Sequence, residues 1–241
     1  MSFSPAKFST FLLCLLILPA IHSAQEIPYY VSPKGLLAWI PFEGTTLDKS
    51  GNSNDATGYR LNATEDRFGK PDKAIYLDGI NSYVMMEINN PDLLMSDNFT
   101  ISIWALPNFA NRNQYLFSKG DKLSNEYAIV YSGDNNLCFE KESRPFNYCT
   151  PIIKNKWVNI TLVMQKNTAT IYFDGKKVNT IILQSPIMVS TLPYTFGAIF
   201  ENGTSTPVQN TRFAGKLDDI AIWNRVLTPD EIALFYKGEE N

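Results

Sequence analysis

The sequence is almost without histidine: its 241 residues hold one, His22. Cysteine is scarce too, with Cys14, Cys138 and Cys149. If the first residues are removed as a leader, His22 and Cys14 go with them. Ser-His and Cys-His nucleophilic machinery and His-based zinc sites are then excluded. No Glu-x-Asp-x-Glu run sets carboxylates on alternate positions of one strand, an arrangement that would send both into one cleft. Glu65-Asp66, Glu140–Glu142 and Glu239-Glu240 are adjacent or loop acids. There is no basic stripe: 21 Lys+Arg stand against 24 Asp+Glu, a net charge of −3, with no footprint for nucleic acid or anionic membrane.

Long apolar runs are missing after Phe11–Ile21 (FLLCLLILPAI). That run is too short for a bilayer core, which needs about 20 residues. With Lys7 before it and Ser23 or Ala24 after it, residues 1–23 read as a secretory signal. The expectation is a secreted, extracellular chain without membrane insertion. Roughly 217 residues would remain, enough for one large all-β domain. Four Asn-X-Ser/Thr triplets begin at Asn62, Asn98, Asn159 and Asn202, as in a glycoprotein. In an oxidising compartment Cys138 and Cys149 are expected to clip the hairpin LCFEKESRPFNYC, adding about 2–3 kcal/mol.

Residues 24–34 carry two prolines and two tyrosines and read as an extended lead-in. From Gly35 onward, short strands alternate with Gly, Asn, Asp and Pro turns, and helical periodicity is rare. About eleven strands predict an antiparallel sandwich. Asp48-Lys-Ser-Gly51, Asp78-Gly79 and Asp174-Gly175 supply corners. The one helix is predicted near the end: Thr228 as N-cap, Pro229 as the first helical residue, Glu231 as capping-box partner, Gly238 as stop. Glycosylation of Asn159 would turn it to solvent, with Val158, Ile160 and Leu162 inward. By the same parity Phe99, Ile101, Ile103, Ala169, Ile171 and Phe173 face the core. Trp104, Tyr172 and Trp157 then face outward, either as a surface that stacks on sugar rings or as packing beneath a second layer.

Six segments in order resemble the laminin-G-like jelly-roll family of the concanavalin A-like lectin/glucanase superfamily. They span 35–57, 67–84, 99–107, 115–121, 156–178 and 213–236, ending in FAGKLDDIAIWNRVLTPDEIALFY. The resemblance implies a two-sheet antiparallel jelly roll over 35–238 with a short C-terminal helix. Where the family often has a His-Val-Ala-like sequence, this chain has Val158-Asn159-Ile160, and a glycan there would obstruct a ligand. The resemblance also implies one structural calcium ion held by Asp218, Glu43, Asp48 and a carbonyl near Gly79, since calcium takes six to eight oxygens from scattered strands. Against this, Asp219 reads equally as a solvated side chain and Asp218 as a partner of loop amides, Arg212 or Arg225. The function expected is a non-enzymatic binding or adhesion module for a carbohydrate or matrix protein. A structural component of an extracellular or mineralised matrix is the alternative, and a carboxylate-dependent glycoside hydrolase a distant third. Fold alone does not choose among them.

Overall fold

The computed structural model describes residues 27–95, 97–108, 111–124, 126–141, 148–152, 155–204 and 206–238. The expected signal, the start of the lead-in and the turn containing Pro145 lie outside them. Fifteen strands follow in chain order: β1 (Leu36–Ile40), β2 (Thr57–Tyr59), β3 (Asn62–Thr64), β4 (Ala74–Asp78), β5 (Tyr83–Met86), β6 (Asn98–Pro107), β7 (Gln114–Lys119), β8 (Tyr127–Tyr131), β9 (Asn136–Glu140), β10 (Tyr148–Pro151), β11 (Val158–Gln165), β12 (Thr168–Phe173), β13 (Lys176–Ile182), β14 (Tyr194–Phe196) and β15 (Ala214–Trp223). Helix α1 (Pro229–Lys237) closes the described chain. One antiparallel sheet runs β13-β12-β11-β6-β15-β4-β3, with β1 also paired to β15; the other runs β10-β9-β8-β7-β14-β5-β2. Strands β2 and β3 are three residues each, and their polar TGY and NAT text gave no alternation by which to foresee them.

Alternation fixes the sandwich. In the β6–β11 pair, Ile101 faces Leu162, Ile103 faces Ile160 and Ala105 faces Val158, and all six enter the core between the sheets. Their neighbours Thr100, Ser102, Trp104, Asn159 and Thr161 point the other way, as the parity predicts, yet they are buried. A second layer covers them. Tyr30 and Val31 of the lead-in pack with Trp39, Trp223 and with Ile232 and Phe235 of α1. Trp223 meets Phe235 edge-on at 5.4 Å and donates its Nε1–H to the Ser32 carbonyl at 2.8 Å.

The helix begins as expected, with Thr228 Oγ1 accepting from Glu231 N and the Glu231 carboxylate accepting from Thr228 N. The same carboxylate receives the Arg225 guanidinium, which also reaches the Lys34 carbonyl. These bonds hold lead-in, closing strand and helix together. The disulfide Cys138–Cys149 is present and joins directly opposed residues of β9 and β10.

Asn159 corrects the glycosylation reading. Its side chain is fully buried, with Nδ2 donating to Ser102 Oγ at 3.0 Å and Oδ1 accepting from Thr161 Oγ1 at 3.1 Å. A glycan on Nδ2 would push out the second layer. Asn62, Asn98 and Asn202 are exposed. Peptide mass spectrometry of protein from a glycosylating host, after enzymatic deglycosylation in heavy-oxygen water, should show Asn159 unmodified. A mass tag on Asn159 in folded protein would contradict the packing.

Candidate functional site

The twin aspartates sit where β15 is irregular. Asp218 pairs with Trp104 of β6, but the register next resumes at Ala221–Ser102. Asp219 takes a φ of 41°, a left-handed conformation that aspartate tolerates better than most residues. An extra residue in a strand breaks alternation. Leu217 and Ile220 therefore both enter the core, while Asp218 and Asp219 emerge on the same outer face.

A turn after β3 delivers their counter-charge. Asp66 Oδ1 accepts from Phe68 N and Lys70 N, each at 2.8 Å, and the closed turn aims Arg67 back at the sheet. Arg67 Nη1 lies 2.6 Å from Asp218 Oδ2 and 2.8 Å from Asp219 Oδ2. Trp39 Nε1 donates to Asp219 Oδ1 at 3.0 Å. Lys73 and Glu43 pair at the rim, 2.9 Å apart. Together these groups line a recess of about 190 Å³. Burial pushes the proton affinity of both aspartates up, and the neighbouring charge of Asp219 raises Asp218 further; Arg67 opposes the rise. Burial works against the Arg67 charge, but Asp219 and Asp218 outweigh it and keep the guanidinium charged.

Arg67 is also the partition to a second space. Its guanidinium lies 4.6 Å from the centre of the Phe68 ring and 4.7 Å from Trp104, and Tyr236 stacks on Trp104 at 5.5 Å. Arg67, Phe68, Trp104, Trp157, Tyr236 and Lys237 line a groove of about 250 Å³. Phe68 is 48% exposed, and Trp157 and Tyr236 are half-buried. Two donors in this wall, Arg67 Nε and Trp104 Nε1, are buried without a hydrogen-bond partner.

The sugar-stacking expectation is thus redistributed. Trp157 lines the groove. Trp104, 6% exposed and covered by Tyr236, is its floor rather than a free face. Tyr172 is half-buried against the second layer and does not line the groove. The four residues expected to bind calcium do not converge. Asp218 and Glu43 share the recess, with Arg67 and Lys73 as partners. Asp48 is used inside its own loop, accepting from Trp39 N, Ser50 N and Asn54 N. The Gly79 carbonyl accepts from Arg112. No group of three or more His, Cys, Asp or Glu side chains suited to a metal occurs among the described residues. The residues present do not fit the ion the resemblance implied.

The two antiparallel sheets that carry this recess and groove form a sandwich of the concanavalin A-like, jelly-roll kind. Residues 78–233 match the family model described as the concanavalin A-like lectin/glucanases superfamily, of laminin G kind, and the chain belongs to that superfamily. The matched stretch contains Trp104, Trp157, Asp218 and Asp219 but not Glu43, Arg67 or Phe68. Among solved structures, domain 4 of a GH43 extracellular arabinanase from Geobacillus stearothermophilus, in complex with arabinotriose, is similar at 18% identity. Its TM-score is 0.64, over 83% of this chain and 98% of that one. The binding domain of Paraclostridial Mosquitocidal Protein 1 aligns at 21% identity with a TM-score of 0.66, over 84% of this chain and 52% of that one. The binding domain of Botulinum Neurotoxin DC in complex with SialylT aligns at 16% identity and 0.65, over 85% and 52%. The chain thus spans about half of the two toxin domains. No curated protein matches it by sequence. No described helix is long and apolar enough to cross a membrane.

Proposed function

We propose that this chain is a secreted carbohydrate-binding module whose ligand lies in the groove between Phe68, Trp157 and Tyr236. The observation that carries this reading is the Arg67 partition: one buried, charged guanidinium shapes an aromatic channel on one side and a polar recess on the other. Sugar rings present an apolar face to aromatic side chains and hydroxyls to polar ones, and this groove offers both. The arabinotriose bound to the arabinanase domain and the SialylT bound to the toxin domain lend support. Arg67 takes the place of a metal beside Asp218, so binding is expected to survive a calcium chelator.

A hydrolase is the second reading, because two buried carboxylates with raised proton affinity meet in the recess. Both, however, are held on one Arg67 nitrogen and are only 4% and 6% exposed, whereas a general acid must reach the glycosidic oxygen. A glycan array with and without chelator, followed by titration of the best saccharide, tests the proposal. Trp157→Ala should weaken binding about 10-fold, or ~1.4 kcal/mol, without abolishing folding. Unchanged affinity in both Trp157→Ala and Phe68→Ala would remove the groove. Cleavage of the bound saccharide that is lost in Asp219→Asn would establish the hydrolase instead.

A further inference from the structure

The β4–β5 crossover carries a second charged constellation, separate from the Arg67 groove. Asp78 Oδ1 accepts from Ile80 N, Asn81 N and Ser82 N, which closes the turn and leaves its carbonyls as the groups offered outward. Two arginines converge on them. Arg112 Nη2 donates to the Gly79 carbonyl at 3.1 Å and Arg112 Nη1 to the Arg212 carbonyl at 3.1 Å. Arg212 donates to the carbonyls of Ile80 and Pro207. Every one of these acceptors is an uncharged main-chain oxygen. Neither arginine is ion-paired with a described carboxylate, although each of the other buried or half-buried arginines, Arg67 and Arg225, is. A guanidinium has about five N–H donors, and each of these two spends only two. Arg212 Nε is buried with no partner at all.

Glycine makes the arrangement. Gly79 has a φ of 70°, and a Cβ there would lie 3.0 Å from Arg112 Nη2 and 2.8 Å from Ala214 Cβ. Beside the arginines stands an aromatic platform. Tyr59 and Tyr83, both half-buried, stack at 4.3 Å and 14°, with Phe200 edge-on to Tyr83 at 5.7 Å. Arg212 is close enough for its charge to oppose the rise that burial imposes on the Tyr83 phenol.

We infer that Arg112 and Arg212, with the Tyr59–Tyr83 face, form a subsite for the anionic group of an acidic saccharide. The forks of the arginines suit a carboxylate or a sulfate ester, each planar or clustered enough to accept two N–H bonds. The tyrosine stack suits the ring that bears it. Nucleic acid is a poor alternative for a chain of net charge −3.

The test is titration of nitrogen-15-labelled protein, following the arginine Nε–H signals. The probes are 3′-sialyllactose, a sulfated disaccharide, neutral lactose, inorganic sulfate and a short acidic peptide. Both acidic saccharides should shift Arg112 and Arg212 and bind at least about 10-fold more tightly than lactose or sulfate, a margin of ~1.4 kcal/mol. Comparison of the two acidic saccharides decides between carboxylate and sulfate ester. Arg212→Gln should abolish the preference and Arg212→Lys should keep part of it. Equal response to inorganic sulfate, tighter binding of the peptide, or no shift with any probe would each overturn the inference.

Discussion

Arg67→Met should lower the free energy of unfolding by about 3–5 kcal/mol at neutral pH, because it leaves two buried carboxylates without their counter-charge. Arg67 Nη1 is within 2.8 Å of both, and Trp39 Nε1 alone cannot replace it. The sign of the pH dependence follows from the raised proton affinities of Asp218 and Asp219. A carboxylate that is easier to protonate in the folded than in the unfolded chain contributes stability at low pH and loses it as pH rises through its folded value. The Arg67→Met defect should therefore be largest at pH 8 and shrink at pH 5, where the pair takes up protons. Adding Asp218→Asn to the variant should recover part of the loss and flatten the profile. Glu231 acts in the opposite sense: its bond from Arg225 draws it down to about 2, so its contribution fades only in stronger acid. Urea unfolding at the two pH values checks this. A defect under about 1 kcal/mol at pH 8, or one independent of pH, would mean that the recess is not held by this charge arrangement.

Lys119→Met should cost a similar amount, about 3–5 kcal/mol, by stranding Glu126 inside the sandwich. Lys119 aligns with Tyr127 and Tyr194 across β7, β8 and β14, so its side chain points into the core. It is 1% exposed and lies 3.3 Å from Glu126 Oε1, 2.9 Å from the Ser190 carbonyl and 2.7 Å from the Leu192 carbonyl. The pair thereby ties the segment before β14 to the sheet. Burial lowers the proton affinity of Lys119 and raises that of Glu126, each opposing the charge that the partner sustains. Removing both charges relieves the stranded carboxylate but still leaves two carbonyls without a donor, at about 1–3 kcal/mol. Lys119→Met with Glu126→Leu should thus recover at least half of the single-variant loss in a double-mutant cycle. A double variant as unstable as the single one would show that packing, not charge, is what Lys119 supplies.

Most of the fold was legible because strands announce themselves by alternation and turns by chemistry. Asp48 and Asp78 accept from amides of the corners their sequences predicted, and Asp174-Gly175 turns its corner with φ of 49° and 73°. The helix cap at Thr228 and Glu231 could be read residue by residue. The inward parity of β6, β11 and β12 held as well. Parity says which side a residue faces, however, and not what covers that side. Asn159 was misjudged for that reason: its face is outward from the first core and inside a second one made by Tyr30, Trp223 and Phe235. The site was harder still. A single residue with φ of 41° puts Asp218 and Asp219 on one face, and nothing in LDDI distinguishes that bulge from ordinary alternation. Their partner Arg67 is 151 positions away, in a turn whose text DRFGK reads only as a turn. The Gly79 carbonyl, expected to serve a cation of calcium type, does serve a cation, but the guanidinium of Arg112.

The central claim, that Phe68, Trp157 and Tyr236 hold a sugar ring, is tested most directly by saturation-transfer NMR against the saccharide selected on the array. Irradiating the aromatic protons should carry saturation to the axial ring protons of the sugar, and the transfer should collapse in Trp157→Ala. Undiminished transfer in that variant, or none across neutral and acidic saccharides alike, would contradict it.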